Sequence, residues 1–222
     1  MKLDLFLVGM TIVFFCVAYV INRRFPSVFT LPIFTASAMM IILLVSMNLT
    51  YESYSGARQF FSFMMGPAIV AFAVPMYSVR AIIYRYLPVV LIGMMIGLAV
   101  SVGMTFIFSL VLPLSAEVVS SLWGKNVTLP VAITIANDIE ASASLTAIGV
   151  VLSGCIGAAF GNRILHFMGV KNRVARGVAM AAVAHIMGSS HSMLLNKEEG
   201  AIGLVTMAGT AILASVFIPI LV

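Results

Sequence analysis

Three ionisable side chains, His185, Asp138 and Glu140, are embedded in long apolar runs. Such groups are expensive at membrane depth, so each is a functional candidate. His185 lies in Ala181-Ala182-Val183-Ala184-His185-Ile186-Met187-Gly188-Ser189-Ser190, with Ser189 one turn on and on the same face. A neutral imidazole there can donate to a substrate carboxylate, and a protonated one serves as counter-ion or proton carrier. A histidine bonded to a nearby backbone carbonyl has the same surroundings. Asp138 and Glu140, beside Asn137, could bind a driving cation or take up protons, or could be wetted at a membrane face. Lys125 could draw anions towards this region or sit at the interface.

The element that positions these groups starts at Asn126-Val127-Thr128-Leu129-Pro130. Thr128 can cap a helix, and Pro130 falls in the first turn, where its missing N–H costs little. A helix from Leu129 to Glu140 rises about 18 Å. That is short of a hydrocarbon core of about 30 Å. The segment 126–144 is therefore expected to be re-entrant, with the positive end of a half-helix dipole at membrane depth, suited to a small anion. A surface hairpin between two spans is the plainer alternative.

The whole chain is apolar: 222 residues, 62% hydrophobic, 9% charged, with a mean hydropathy of +1.17. These values belong to an all-α polytopic membrane protein. The net charge of +5 does not point to nucleic acid, because the basic residues are confined to short linkers. Cys16 and Cys155 sit in apolar runs and indicate neither a disulfide framework nor a metal site. There is no His-Glu-x-x-His pair, phosphate loop or nucleophile elbow, so no enzyme, metal or cofactor is expected.

Segments long enough to span are 5–21, 31–49, 60–79, 87–112, 145–165, 177–195 and 201–222, about seven spans beside the half-length piece. Arg23 and Arg24, then Arg80 and Arg85, then Arg163, Lys171, Arg173 and Arg176 fall in three linkers, while Lys2, Arg58, Lys125 and Lys197 fall on the other side. The positive-inside rule puts those three linkers in the cytoplasm, the N-terminus outside and the C-terminus in the cytoplasm. Lys197-Glu198-Glu199-Gly200 then reads as an outer turn whose charges pair with one another.

One transmembrane domain, 1–222, is expected, with 31–112 and 145–222 as inverted repeats. The middle span of each is interrupted, the first by Gly66-Pro67 and Pro75, the second by Gly188-Ser189-Ser190. Matching breaks in inverted halves point to a midplane binding site. Gly93-x-x-x-Gly97 and Gly157-x-x-x-Gly161 are spacings for close helix approach, within the fold or between subunits of a homo-oligomer. Trp123 reads as an anchor in the outer interface.

Four motifs in order resemble the LrgB/CidB membrane proteins. They are Gly66-Pro67-Ala68 through Pro75-Met76-Tyr77, Val127-Thr128-Leu129-Pro130-Val131-Ala132, Ala175-Arg176-Gly177 through His185 and Gly188, and Glu199-Gly200-Ala201. The likeness runs from Arg58 to the C-terminus. Departures flank the proposed site: Gly124, Asn126, Leu129, Glu140-Ala141-Ser142 and Ser189-Ser190 replace the family's usual residues. The resemblance implies a bacterial inner-membrane protein with one of two activities. One is antiholin-like or holin-auxiliary control of murein hydrolases and lysis with a smaller LrgA/CidA-type partner. The other is passage of small monocarboxylates such as pyruvate, glycolate or glycerate, as in the related plastid translocator. The expectation drawn here is an ion-coupled carrier of such acids. Thr128, Asn137, His185, Ser189, Ser190 and Gly66 would bind the substrate, and Asp138 and Glu140 would couple the ion.

Overall fold

The computed structural model describes residues 2–25, 27 and 30–222, and all secondary structure among them is helical. The chain forms two compact units, Met1–Ala73 and Val74–Val222. The first holds α1 (Lys2–Arg24), α2 (Pro32–Ser46), a 3-10 turn (Tyr51–Tyr54) and α3 (Ser55–Ala71). Leu7, Val8, Met40 and Ala57 form its core. The Thr11 and Tyr54 hydroxyls hydrogen-bond at 3.0 Å and tie α1 to the turn.

Among the described residues, six helical stretches are long and apolar enough to cross a membrane. The expected span 31–49 is instead the 15-residue α2, which starts at Pro32 in its first turn and falls short of the length needed to cross upright. The expected break at Gly66-Pro67 is absent: α3 runs through Pro67 and ends at Ala71, and the interruption falls at Phe72, before α4 (Ala73–Ser78). Neighbouring groups can satisfy a backbone carbonyl freed by proline, so proline alone does not end an apolar helix.

The second unit is built on α5 (Arg80–Val111), α8 (Ala143–Phe167) and α10 (Lys197–Leu221), with α6 (Ala116–Leu122), α7 (Leu129–Asp138) and α9 (Arg173–Leu195) between them. On α8 the pattern explains the placement. Ile148, Leu152 and Ile156, four residues apart, form an exposed apolar stripe, while Gly154 and Gly157 are buried on the other side. An α-helix places such rows on separate faces, so bulky residues meet lipid and small ones meet protein.

Residues 112–142 form a hairpin whose two ends lie on the same side of the second unit; the segment expected to be re-entrant, 126–144, makes up its turn and returning arm. Ser121, before the turn at 123–128, accepts a hydrogen bond from Ser142 N at 3.2 Å, and Ser142 lies after that turn. Between these two points the chain descends until Ser153 reaches Asn126. Ser153 is ten residues into α8, about 15 Å along it. Trp123, expected as an interfacial anchor, instead packs on the core cluster containing Leu98, Val127 and Ile135.

α9 has the length of a span yet does not cross. Its backbone leaves helical geometry at Ala184 (φ −118°, ψ 15°) and His185 (φ 41°, ψ −125°), and there the chain reverses. A side-chain carbon at Gly203 would touch both Ser189 Oγ and the Gly177 carbonyl, although a straight helix would hold residues 177 and 189 about 18 Å apart. The Glu199 carboxylate likewise receives Arg176 Nε at 3.1 Å and Ser192 Oγ at 2.9 Å. Gly188 lies so close to the Met180 carbonyl that any side chain there would collide. Residues 173–183 therefore descend and 186–195 return, so the expected span 177–195 is a second hairpin.

This reversal corrects two further expectations. The break falls at Ala184-His185, ahead of Gly188-Ser189-Ser190, because the glycine is needed beside Met180 where the two halves press together. Lys197-Glu198-Glu199 is not a self-paired turn on the far side: Glu198 meets Arg173 at 2.9 Å and Glu199 meets Arg176, on the face where α9 begins. α10 then runs antiparallel to α8, where the expected topology made the two parallel. The two small-residue stripes seat the hairpin: Gly93 and Gly97 of α5 face Val178 and Ala182, and Gly157 and Gly161 of α8 face Ala184 and Met180.

Candidate functional site

The two hairpins enter from opposite faces, because the 25 residues of α8 separate the end of the first from the start of the second. Their tips meet. Asn126 Nδ2 donates to the Ala182 carbonyl at 3.1 Å, and Ser153 Oγ donates to the Val183 carbonyl at 2.9 Å and approaches Asn126 Oδ1 at 3.2 Å. The carbonyls are those of the last turn before the break, which have no partner further along their own helix. In hydrocarbon each unsatisfied carbonyl costs several kcal/mol. Asn126 and Ser153 therefore make the reversal tenable. Ala182 is nine residues into α9 and Ser153 ten into α8, so the junction lies about 14–15 Å from either end, near the midplane of a core of about 30 Å.

His185 is buried, 2% exposed, at the second tip. Its Nε2 lies 3.1 Å from the Val150 carbonyl, and a carbonyl can only accept, so Nε2 carries hydrogen and Nδ1 is the acceptor. Nδ1 is buried without a partner among the described residues. Ser189 Oγ donates to the His185 carbonyl at 2.8 Å. His185 and Ser189 thus stand together at the start of the returning half-helix. Thr128 is the residue before α7, and its side chain makes no capping bond. It is two residues from Asn126, and the adjoining Val127 packs in the same cluster as Val150.

Other expected residues lie elsewhere. Asn137, Asp138 and Glu140 are exposed, at the end of α7 remote from Thr128, about 15 Å along the helix. Glu140 has φ 54°, and Ala141 N bonds to the Ala136 carbonyl at 2.7 Å, which closes the helix end. Ser190 is exposed on α9, and Gly66 is exposed within α3 of the first unit.

Sequence reasoning did not select Asn126 and Ser153 as site residues, and it left Lys125 undecided. Lys125 Nζ donates to the Ser101 carbonyl at 3.1 Å, to Ser101 Oγ at 3.4 Å and to Thr105 Oγ1. Lys125, Asn126, Ser153 and Ser101 line one cavity of about 630 Å³, walled otherwise by apolar side chains of α5 and α9. The signal for these residues was present as polar groups, Lys125-Asn126 and Ser101, Thr105 and Ser153, within or between apolar runs.

The LrgB-like family matches residues 11–222 of this chain. The chain belongs to that family. Among LrgB-like proteins, a Bacillus subtilis (strain 168) protein, "Uncharacterized protein YwbG", is 29% identical over 212 residues, 96% of this chain and 94% of the relative. A Staphylococcus epidermidis protein named "Holin-like protein CidB" is 24% identical over 213 residues, 96% and 93% of the two chains. The Staphylococcus aureus protein of the same name is 22% identical over 218 residues, 98% and 95%. No solved structure matches this chain. The LrgB-like match extends over both hairpins and every side chain at their junction.

Proposed function

We propose that this LrgB-like protein acts in the holin-like class of its relatives, and that its molecular act is the passage of a small monocarboxylate between two opposed hairpins. The relatives' name, "Holin-like protein CidB", supports the first half; control of murein hydrolases and lysis with a small LrgA/CidA-type membrane partner is what the family resemblance adds to it. The second half rests on one observation, the hydrogen bond from Asn126 to the Ala182 carbonyl, which joins two broken-backbone tips at mid-depth. Irregular backbone at that depth is tolerated only where protein or a water-filled cavity covers it, and discontinuous helices of this kind surround the sites of secondary transporters.

His185 holds the second tip against α8 through Val150, and its free Nδ1 gives the tip a group that can take up a proton. Asp138 and Glu140, exposed at the face where α7 ends, remain the proposed entry point of a coupling ion. Arg80, Arg85, Lys171, Arg173 and Arg176 flank the ends of α5, α8 and α9 that lie together in the second unit, and by the positive-inside rule this reading takes that face as cytoplasmic. With α9 doubled back, this reading puts the C-terminus outside, where the sequence expectation had it in the cytoplasm. The membrane proposed is the bacterial inner membrane, and the assembly a homo-oligomer.

Uptake of labelled pyruvate, glycolate and lactate into liposomes holding the purified protein tests the passage. The expected result is saturable uptake of at least one acid, reduced by His185→Ala. No uptake of any acid, or unchanged uptake in His185→Ala, contradicts it. Cell lysis with and without the partner tests the holin-like half; the same effect without the partner contradicts it.

A further inference from the structure

We propose that Lys125, with the free N–H of Asn126, receives a monovalent organic anion in the cavity below the joined hairpin tips, an assignment that rests on the translocation reading. Ser101, which receives Lys125 Nζ, is ten residues before the end of α5, about 15 Å in. The charge of Lys125 is thus held at the depth of the junction. Its partners are all neutral oxygens, and the salt bridges among the described residues join other cations to other acids. A cation at this depth without a counter-charge is costly, and an anion in the cavity beside it removes that cost.

The neighbouring groups fit the same ligand. One N–H of the Asn126 amide goes to Ala182, and among the described residues no partner takes the second. The Ser153 hydroxyl stands beside it on the cavity wall. Asn126 thus offers one neutral N–H, and Lys125, whose three N–H groups already meet oxygens of Ser101 and Thr105, supplies the charged donor by releasing its longest contact, 3.4 Å to Ser101 Oγ. The remaining wall includes Ile92, Ile96, Val100 and Val183, each more than half exposed, so the cleft is open on this side and its apolar wall suits a short apolar body. One lysine compensates one negative charge, so a dicarboxylate would carry a second charge into an apolar cavity. The volume, about 630 Å³, lies within the usual range of small-molecule sites, about 300–1,000 Å³, so charge selects more sharply than length. His185 is not on this wall, and its Nε2 is engaged with Val150. It is a positioning residue for the tip.

The test uses the full chain in nanodiscs, with equilibrium binding of labelled pyruvate as the probe and uptake of the same acid into liposomes in parallel. Lys125→Met is expected to weaken binding by about thirtyfold or more, while Lys125→Arg retains most of it. Unlabelled pyruvate should compete, and neutral pyruvamide should not. Unchanged binding in Lys125→Met overturns the assignment even where uptake is intact. Binding that is lost in Lys125→Met while wild type shows no uptake upholds the Lys125 site and rejects translocation. No binding of pyruvate to wild type rejects the site. Should Lys125→Met not fold, acetylation of Lys125 in the wild-type protein, read by mass spectrometry, replaces it: protection by pyruvate supports the site, and absence of protection overturns it.

Discussion

The two hairpins reach the same depth from opposite faces by different means. The first, residues 112–142, is made of separate short helices, and its turn is held from outside by Ser121, Lys125 and Asn126. The second, α9, has a reversal confined to Ala184 and His185, with its halves pressed together at Gly188 and its open end fastened by Arg176, Glu199 and Ser192. A loose hairpin needs polar side chains along its path, whereas a tight one needs a small residue at the crossing and a charge pair at its base. The contrast assigns the first hairpin the role of ligand wall and the second that of a clamped element bearing on it.

The largest effect expected from breaking this contrast is at the base of α9. Arg176 and Glu199 are only 17% and 5% exposed in their side chains, and Arg176→Met leaves a buried carboxylate without its cation. Thermal unfolding in detergent should show a loss of about 3–5 kcal/mol. Gly188→Ala comes next and carries a change of sign. In a straight helix it would stabilise by about 1 kcal/mol, but against the Met180 carbonyl it should destabilise by about 1–3 kcal/mol.

At the junction, Asn126→Ala removes the donor to Ala182 and should cost about 1–3 kcal/mol. Combined with Ser153→Ala it should be non-additive in a double-mutant cycle, because the two side chains share a hydrogen bond. The smallest change belongs to Arg173→Ala. Its pair with Glu198 is 60% and 43% exposed, and stability should shift by no more than about 1 kcal/mol. A large loss there would mean that the exposed pair, rather than the buried one, holds the hairpin's base.

The same comparison explains what the sequence conveyed. The first hairpin was legible because Pro130 and the polar run from Asn137 to Glu140 bracket an apolar stretch too short to cross. The second was concealed by its length. Residues 173–195 make a stretch long enough for a span, and the reversal occupies Ala184-His185, where neither glycine nor proline marks it. His185 takes a positive φ usually left to glycine, and the surrounding contacts hold it there. Fainter signals were present: Ser189, Ser190, His191 and Ser192 make the second half too polar for lipid, and one residue, Asn196, joins α9 to α10. The site was half legible for the same reason. His185 stood out as an isolated histidine, whereas Asn126 and Ser153 gain meaning only when a broken helix presents carbonyls to them.

Whether α9 turns back is decided by the face on which its end emerges. In a chain with Cys16 and Cys155 replaced by serine, single cysteines at Lys171 and Lys197 can be labelled with a membrane-impermeant maleimide in oriented vesicles. Labelling of both from the same side is the predicted result. Labelling from opposite sides would make α9 a crossing helix, and the junction of two hairpin tips would not exist.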